Sequence, residues 1–197
     1  MINIKSIAIV ALLTVIDGSA FAQNLVENGS FAEETPLQSI AAMKPYDLDG
    51  KGFVLKFDPE RWARGWVING AMDPGTISLV AKEDAIDGDR YLRVQSTGET
   101  DIYPVETLPA DSYKCSFSAK GEAEGSKTPR ITVFAYLYSS EGWLKNIILG
   151  HADLEKGWQE YSFEVPVEKI SEASSLRIAF GFTGLCDFDN VKIETQH

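Results

Sequence analysis

Thr132-Val133-Phe134-Ala135-Tyr136-Leu137-Tyr138 decides the fold class. Aliphatic residues at 133, 135 and 137 alternate with aromatic residues at 134, 136 and 138. A period of two belongs to a strand whose successive side chains point to opposite faces of a sheet. One of those faces must be the core. The smaller aliphatic set suits packing between two sheets, which leaves Phe134, Tyr136 and Tyr138 to line an outer, concave surface. With the faces exchanged, the aromatic rings fill the core instead.

The same period extends to both sides. Tyr91-Leu92-Arg93-Val94 alternates, as do Tyr113 to Ala119, Trp158 to Val165 and Leu176 to Phe182. Turn residues punctuate the gaps at Asp87-Gly88, Leu108-Pro109, Gly121 to Pro129, Glu141-Gly142 and Lys156-Gly157. Strands this numerous and evenly spaced predict an all-β chain, a jelly-roll β-sandwich of two antiparallel sheets. The stretch from Thr35 to Gly65 departs from the pattern and reads as a long excursion. It has room for one helical turn over Ser39 to Met43 and one short strand over Phe53 to Phe57.

At the amino terminus, Lys5, the apolar run Ile7 to Ile16 and the small-residue end Ala20-Phe21-Ala22 form a secretory signal peptide over residues 1–22. The run is about half of what a membrane-spanning helix needs, and no later segment is apolar enough to cross. The expectation is a secreted or periplasmic monomer whose residues 23–197 make a single domain. No Cys at the cleavage point offers a lipid attachment atom. A net charge of −11 repels phosphate backbones and anionic lipid heads, which excludes nucleic acid as a natural partner and favours a neutral ligand. Cys115 shares the apolar face of its strand, whereas Cys186 is out of phase with Val191 and Ile193. Unless a bulge resets the phase, their sulfurs point to different faces, and a disulfide stays open.

The mature amino terminus, Asn24-Leu25-Val26-Glu27-Asn28-Gly29-Ser30-Phe31, and Trp66 beyond the excursion resemble carbohydrate-binding modules of the family 4, 9 and 22 type. The resemblance continues through Asp87 to Val94, Tyr113 to Gly121, Gly157 to Phe163 and Phe188-Asp189-Asn190-Val191-Lys192-Ile193. It implies a galactose-binding-like jelly roll whose concave sheet or edge loops hold a glycan, often with a structural calcium ion. Two departures stand out. Ala32 occupies the position after Phe31 where the family carries Glu, with Glu33 following, and the excursion between Phe31 and Trp66 is longer than the family's.

A sugar site needs flat rings that stack on the apolar faces of pyranoses and planar polar groups for the hydroxyls. Phe134, Tyr136 and Tyr138 supply the rings. Trp143, at a hairpin, is a further platform or a packing plug, and Trp62 in the excursion either closes the cleft or fills the core. Arg93 and Gln95, opposite the inward Leu92 and Val94, are hydroxyl binders or an ordinary solvated face. Trp66 and Trp158 are assigned to packing. In strict alternation Asp189 shares the face of Val191 and Ile193, and a carboxylate aimed inward needs a partner. Calcium, with Glu33 and backbone carbonyls around Asn28, is one solution; backbone N–H groups or an arginine are the other. Asp47 to Gly52 lacks the downstream bidentate Glu of a calcium loop and reads as a turn.

His151 and the terminal His197 are the only histidines, and neither lies beside a nucleophile motif. The sequence therefore favours a non-catalytic binder of polysaccharide or oligosaccharide. The alternatives are a structural or adhesion sandwich without a sugar site and, behind it, a small glycanase or polysaccharide lyase.

Overall fold

The computed structural model describes residues 23–36, 55–56, 61–71, 75–125 and 127–196. The expected signal peptide, the expected helical turn at Ser39 to Met43, the expected turn at Asp47 to Gly52 and His197 lie outside the described residues. In chain order the strands are β1 (Glu34–Thr35), β2 (Leu55–Lys56), β3 (Trp62–Ala63), β4 (Trp66–Ala71), β5 (Gly75–Ala81), β6 (Arg90–Pro104), β7 (Leu108–Pro109), β8 (Tyr113–Glu122), β9 (Arg130–Ser139), β10 (Gly142–Asp153), β11 (Gln159–Val165) and β12 (Ser175–Thr195). A single 3-10 turn, Val167–Lys169, precedes β12. Among the described residues no helix is long and apolar enough to cross a membrane.

The strands form an all-β jelly-roll sandwich, and β6 and β12 join its two layers. The first half of β12 pairs with β9 on one side and with the second half of β6 and short β7 on the other. β10 and β4 complete that layer at its two edges. Beyond Gly184, β12 pairs with the first half of β6 and with β8, and β5 and β11 flank these. The pairing is antiparallel except for β2, which joins β5 in parallel. Alternation foresaw the cores of β6, β8, β9, β11 and β12. It did not foresee that β6 and β12 run on through both layers, nor that β10 is a strand, because the exposed edge sequence of β10 carries no clean period. Of the expected strand at Phe53 to Phe57, Leu55–Lys56 falls within the described residues and is extended.

Two local devices let one strand serve both layers. Gly184 has φ +83°, and a Cβ there would meet the Pro129 backbone at 3.1 Å, so the bend needs glycine. Asn190 has φ +52°, and between Asp189 and Lys192 the strand gains one residue on β8, a bulge that inverts the phase. Leu176, Ile178, Phe180 and Phe182 face the core before the bend, Cys186 and Phe188 after it, and Val191 and Ile193 after the bulge. The bulge therefore puts both Cys115 and Cys186 on the core face. They remain free thiols: the β8–β12 register pairs Cys115 with Ile193 but Cys186 with Gly121, six residues further along β8 and about 20 Å away. Burial pushes both thiol pKa values up, that of Cys186 to about 12.

The core is aromatic at its centre. Phe180 and Phe117 pack on Phe188 at ring distances of 4.9 and 5.1 Å, and Phe31 packs on Trp66 at 4.9 Å. Phe31 is held at φ +54°, a conformation costly for a bulky residue, and its complete burial compensates. The segment that carries it is laced to the end of β12. Leu25 N–H donates to the Ile193 carbonyl at 2.8 Å, Val191 N–H donates to the Gly29 carbonyl at 2.9 Å, and Asn24 bridges Val191 and Ile193 with its amide. At Gly29 an added Cβ would stand 2.1 Å from the Val191 carbonyl oxygen. Gly29→Ala is therefore expected to destabilise the fold by about 2 kcal/mol or more, since the obstacle is backbone and cannot rotate away. Urea unfolding checks this; an unchanged midpoint would mean that the segment is not docked on β12.

Candidate functional site

The register of the layer β4-β6-β12-β9-β10 assembles its outer face. Residues directly opposite on neighbouring strands share a side of the sheet. Arg177 lies opposite Tyr136, Ala179 opposite Phe134 and Gly181 opposite Thr132, with Asn146, Ile148 and His151 beyond them on β10. On the other flank Asp101 lies opposite Gly181, and Trp143 at the β10 edge lies opposite Tyr138. The central strand thus contributes small side chains, Ala179 and Gly181, between taller aromatic neighbours. The result is a shallow trough whose ring-bearing walls cover its small floor residues: Ala179 is 0% exposed and Gly181 is buried.

Val133, Ala135 and Leu137 are fully buried between the layers, and Phe134, Tyr136 and Tyr138 are on the outer side, where they pack with Ala179 and Tyr103 in a cluster of their own. The rings do not all present their faces to solvent: Phe134 and Tyr136 are each 7% exposed. They stand parallel at 6.3 Å, and Tyr103 meets Tyr136 edge-on at 6.2 Å. Tyr138 and Tyr103 are half-buried, whereas Trp143 is 63% and Ile148 56% exposed. Accessible ring surface therefore belongs to Tyr103, Tyr138 and Trp143, with Phe134 and Tyr136 as their support.

Two charged groups complete the trough. Asp101 accepts a hydrogen bond from the Tyr136 hydroxyl at 2.7 Å through Oδ2, while its buried Oδ1 has no partner. Burial holds its carboxyl above the ordinary range, and the tyrosine hydroxyl only partly offsets this. Arg177 lies against two rings, its guanidinium carbon 5.4 Å from the Tyr103 centroid and 5.6 Å from that of Tyr138. Sequence reasoning missed Asp101, Tyr103 and Arg177. Their alternation was visible, since Leu176, Ile178 and Phe180 turn Arg177 outward, but nothing along the chain says which strands become neighbours.

The remaining sequence-derived residues do not converge here. Trp62 is 2% exposed with its indole N–H on the Trp66 carbonyl at 2.6 Å, so it packs in the interior and closes no cleft. Arg93 and Gln95 lie on the outer face of the other layer. Arg93 holds Asp187 in a two-pronged pair at 2.6 and 2.8 Å, and Gln95 donates to Glu124 at 3.2 Å, so both hydroxyl-binding groups are already engaged. Lys120 pairs with Asp84 and lies over Tyr91 and Trp158, and a small cavity beside it is lined by Arg93, Glu122, Lys156 and Asp187.

The residues expected to hold calcium have partners of their own. Because of the bulge, Asp189 shares the side of Ser118 on β8, the outer face, and is not aimed between the layers. Its Oδ2 accepts N–H bonds from Ile86 and Asp87 at 2.7 and 3.1 Å, and its Oδ1 accepts one from Asn190 at 2.7 Å. Asn28 accepts from Glu33 N–H and donates to the Glu33 and Arg64 carbonyls, while the Glu33 carboxylate pairs with Arg64 at 2.8 Å. Asp189 and Asn28 thus spend their side-chain oxygens on backbone N–H groups and Glu33 one oxygen on Arg64, an arrangement that fits a calcium ion poorly. Among the described residues no group of three or more His, Cys, Asp or Glu side chains could hold a metal.

No family model matches the sequence, and no curated protein matches it. Solved structures do share the fold. The family 22 xylan-binding domain CBM22-1 of Paenibacillus barcinonensis Xyn10C superposes with a TM-score of 0.53 at 15% identity, over 88% of this chain and 97% of that one. The CBM22-1-GH10 portion of Clostridium thermocellum xylanase 10B, complexed with xylohexaose, gives 0.51 at 20% identity over 68% of this chain. An arabinose-bound α-L-arabinofuranosidase, MgGH51, gives 0.51 at 14% identity over 90%. This chain spans only 26% and 27% of the last two.

Two outcomes are expected. A chelator should leave the melting temperature unchanged, because backbone N–H groups and Arg64 already satisfy Asp189, Asn28 and Glu33; a fall of several degrees would reveal a bound ion. A carboxyl whose folded pKa lies above its unfolded value penalises the fold only where it ionises. The penalty is absent below the unfolded pKa, grows between the two values and is complete above the folded one. Asp101→Asn should therefore melt roughly 2 °C above the parent at pH 7 and lose that advantage below about pH 4. A variant less stable at pH 7 would show that the charge is held favourably.

Proposed function

We propose that this chain is an exported, non-catalytic glycan-binding module whose ligand lies along the outer face of the β4-β6-β12-β9-β10 layer. The observation that carries this reading is the unpartnered buried Oδ1 of Asp101 beside the ring walls of Tyr103, Tyr136 and Tyr138. A buried acceptor left without a donor costs about 1–3 kcal/mol, and a sugar hydroxyl is a donor of the right size to satisfy it. The rings that stay accessible, Tyr103, Tyr138 and Trp143, supply the apolar half of the same recognition. The shared fold with a xylan-binding domain agrees with a polysaccharide or oligosaccharide ligand.

Hydrolysis of a glycosidic bond needs two carboxyl groups in concert. Among the described side chains of this face Asp153 is tied to Arg130 at 2.6 Å, which leaves Asp101 alone. His151 touches Thr132 at 3.0 Å, but among the described residues no carboxylate hydrogen-bonds its ring to orient it as a base. Export rests on the charged and apolar pattern of residues 1–22. The low exposure of Phe134 and Tyr136 favours a second reading, an adhesion or bracing sandwich that keeps the fold without affinity for sugar.

Affinity electrophoresis against soluble xylans and β-glucans separates the two. Retardation by at least one glycan is expected, reduced about tenfold in affinity by Trp143→Ala while the melting temperature stays within a degree, as suits an exposed indole. Absence of retardation by any glycan leaves the adhesion reading in place.

A further inference from the structure

Arg61, Arg64, Arg90, Arg93 and Arg130 each hold a carboxylate. Among the described residues Arg177 holds none. In a chain of net charge −11 carboxylates are plentiful, so an unpaired arginine is placed where no acidic side chain reaches it. Its position is fixed on three sides. Tyr103 and Tyr138 flank the guanidinium, and Nε donates to the Thr107 hydroxyl at 2.9 Å. Half-buried between rings, it is more weakly hydrated than a surface lysine and ready to accept a planar anion at small cost in ordering.

Resting on the glycan-binding reading above, we propose that the ligand is acidic and that Arg177 selects it by pairing with the carboxylate of a uronic-acid residue. The guanidinium edge and a sugar carboxylate are both planar, and two parallel N–H···O bonds match them. The tyrosines that hold the guanidinium also provide ring surface for the same sugar. Asp101 contributes the complementary contact further along the trough, where a hydroxyl donor satisfies Oδ1 and a second carboxylate is repelled. Among the described side chains of this face Arg130 and Asp153 neutralise each other, so Arg177 is the one cation there without a carboxylate partner. The overall negative charge acts at long range and is screened beyond about 8 Å at physiological salt, whereas a contact pair is not. A neutral ligand, which the net charge by itself favours, leaves this cation without a role.

The test uses glucuronoxylan, polygalacturonate and alginate, each beside the same polymer with its carboxyl groups reduced to alcohols, all at fixed ionic strength and pH 7. The mature chain should bind at least one native polymer ten- to a hundredfold more tightly than its reduced form, and Arg177→Gln should remove that difference. Arg177→Lys, which keeps the charge and loses the fork, should retain part of it, and this arm decides should the glutamine variant fail to fold. Equal binding of native and reduced polymers overturns the proposal and leaves glycan binding intact. A preference that survives Arg177→Gln overturns the assignment to this residue. Failure to bind these polymers and all neutral xylans and β-glucans overturns the glycan reading itself, and this proposal with it.

Discussion

Everything in this molecule is arranged around one shared strand. β12 hydrogen-bonds to β6, β7, β8 and β9 and passes from one layer of the sandwich to the other without a break. A strand shared in this way must keep apolar side chains directed inward through a change of layer. The glycine bend at 184 and the bulge at Asn190 meet that demand at the cost of two left-handed backbone positions. The Asp189 carboxylate, satisfied by the N–H groups of Ile86, Asp87 and Asn190, fastens the preceding loop over the bulge. Burial raises its pKa, and the three backbone donors work against that rise.

The two outer faces solve the problem of exposed charge in opposite ways. On the layer built from β5, β6, β12, β8 and β11, Arg93 and Lys120 face Asp187 and Asp84, and Tyr91 is completely buried beneath Trp158 and Lys120. That face pairs its charges, although the Trp158 indole N–H is buried without a partner and a small cavity opens beside Arg93, Lys120 and Asp187. On the opposite layer an acceptor and a cation are left unmatched among aromatic rings. Natural sequences tolerate such local deficits where a partner makes them good, and this is the face on which the proposed ligand lies.

The amino-terminal block shows how a family-like pattern can persist with a changed physical role. Asn24, Asn28 and Gly29 are used to lace the chain onto β12 and to the Glu33–Arg64 region by backbone hydrogen bonds. Glu33 turns to Arg64, and Glu34 to Arg61 and Arg90. These surface pairs are individually weak, but together they leave no ring of free oxygens for an ion. Similarity in sequence pattern pointed to the fold, while Asn28, Glu33 and Asp189 are held by backbone N–H groups and Arg64.

The sequence by itself determined the all-β class and the alternation within β9 and the first half of β12, which sets Phe134, Tyr136 and Tyr138 on the face opposite Val133, Ala135 and Leu137. Each of these follows from alternation within one strand, and the pleat imposes alternation whatever the neighbours are. Only the tertiary structure decided that Asp101, Tyr103 and Arg177 share a trough with those rings, that Arg93 and Gln95 belong to the other layer, and that both cysteines face inward yet stand far apart. Strand order, and the phase shift at a bulge, are set by pairing between distant segments, and no period within a segment encodes its partner.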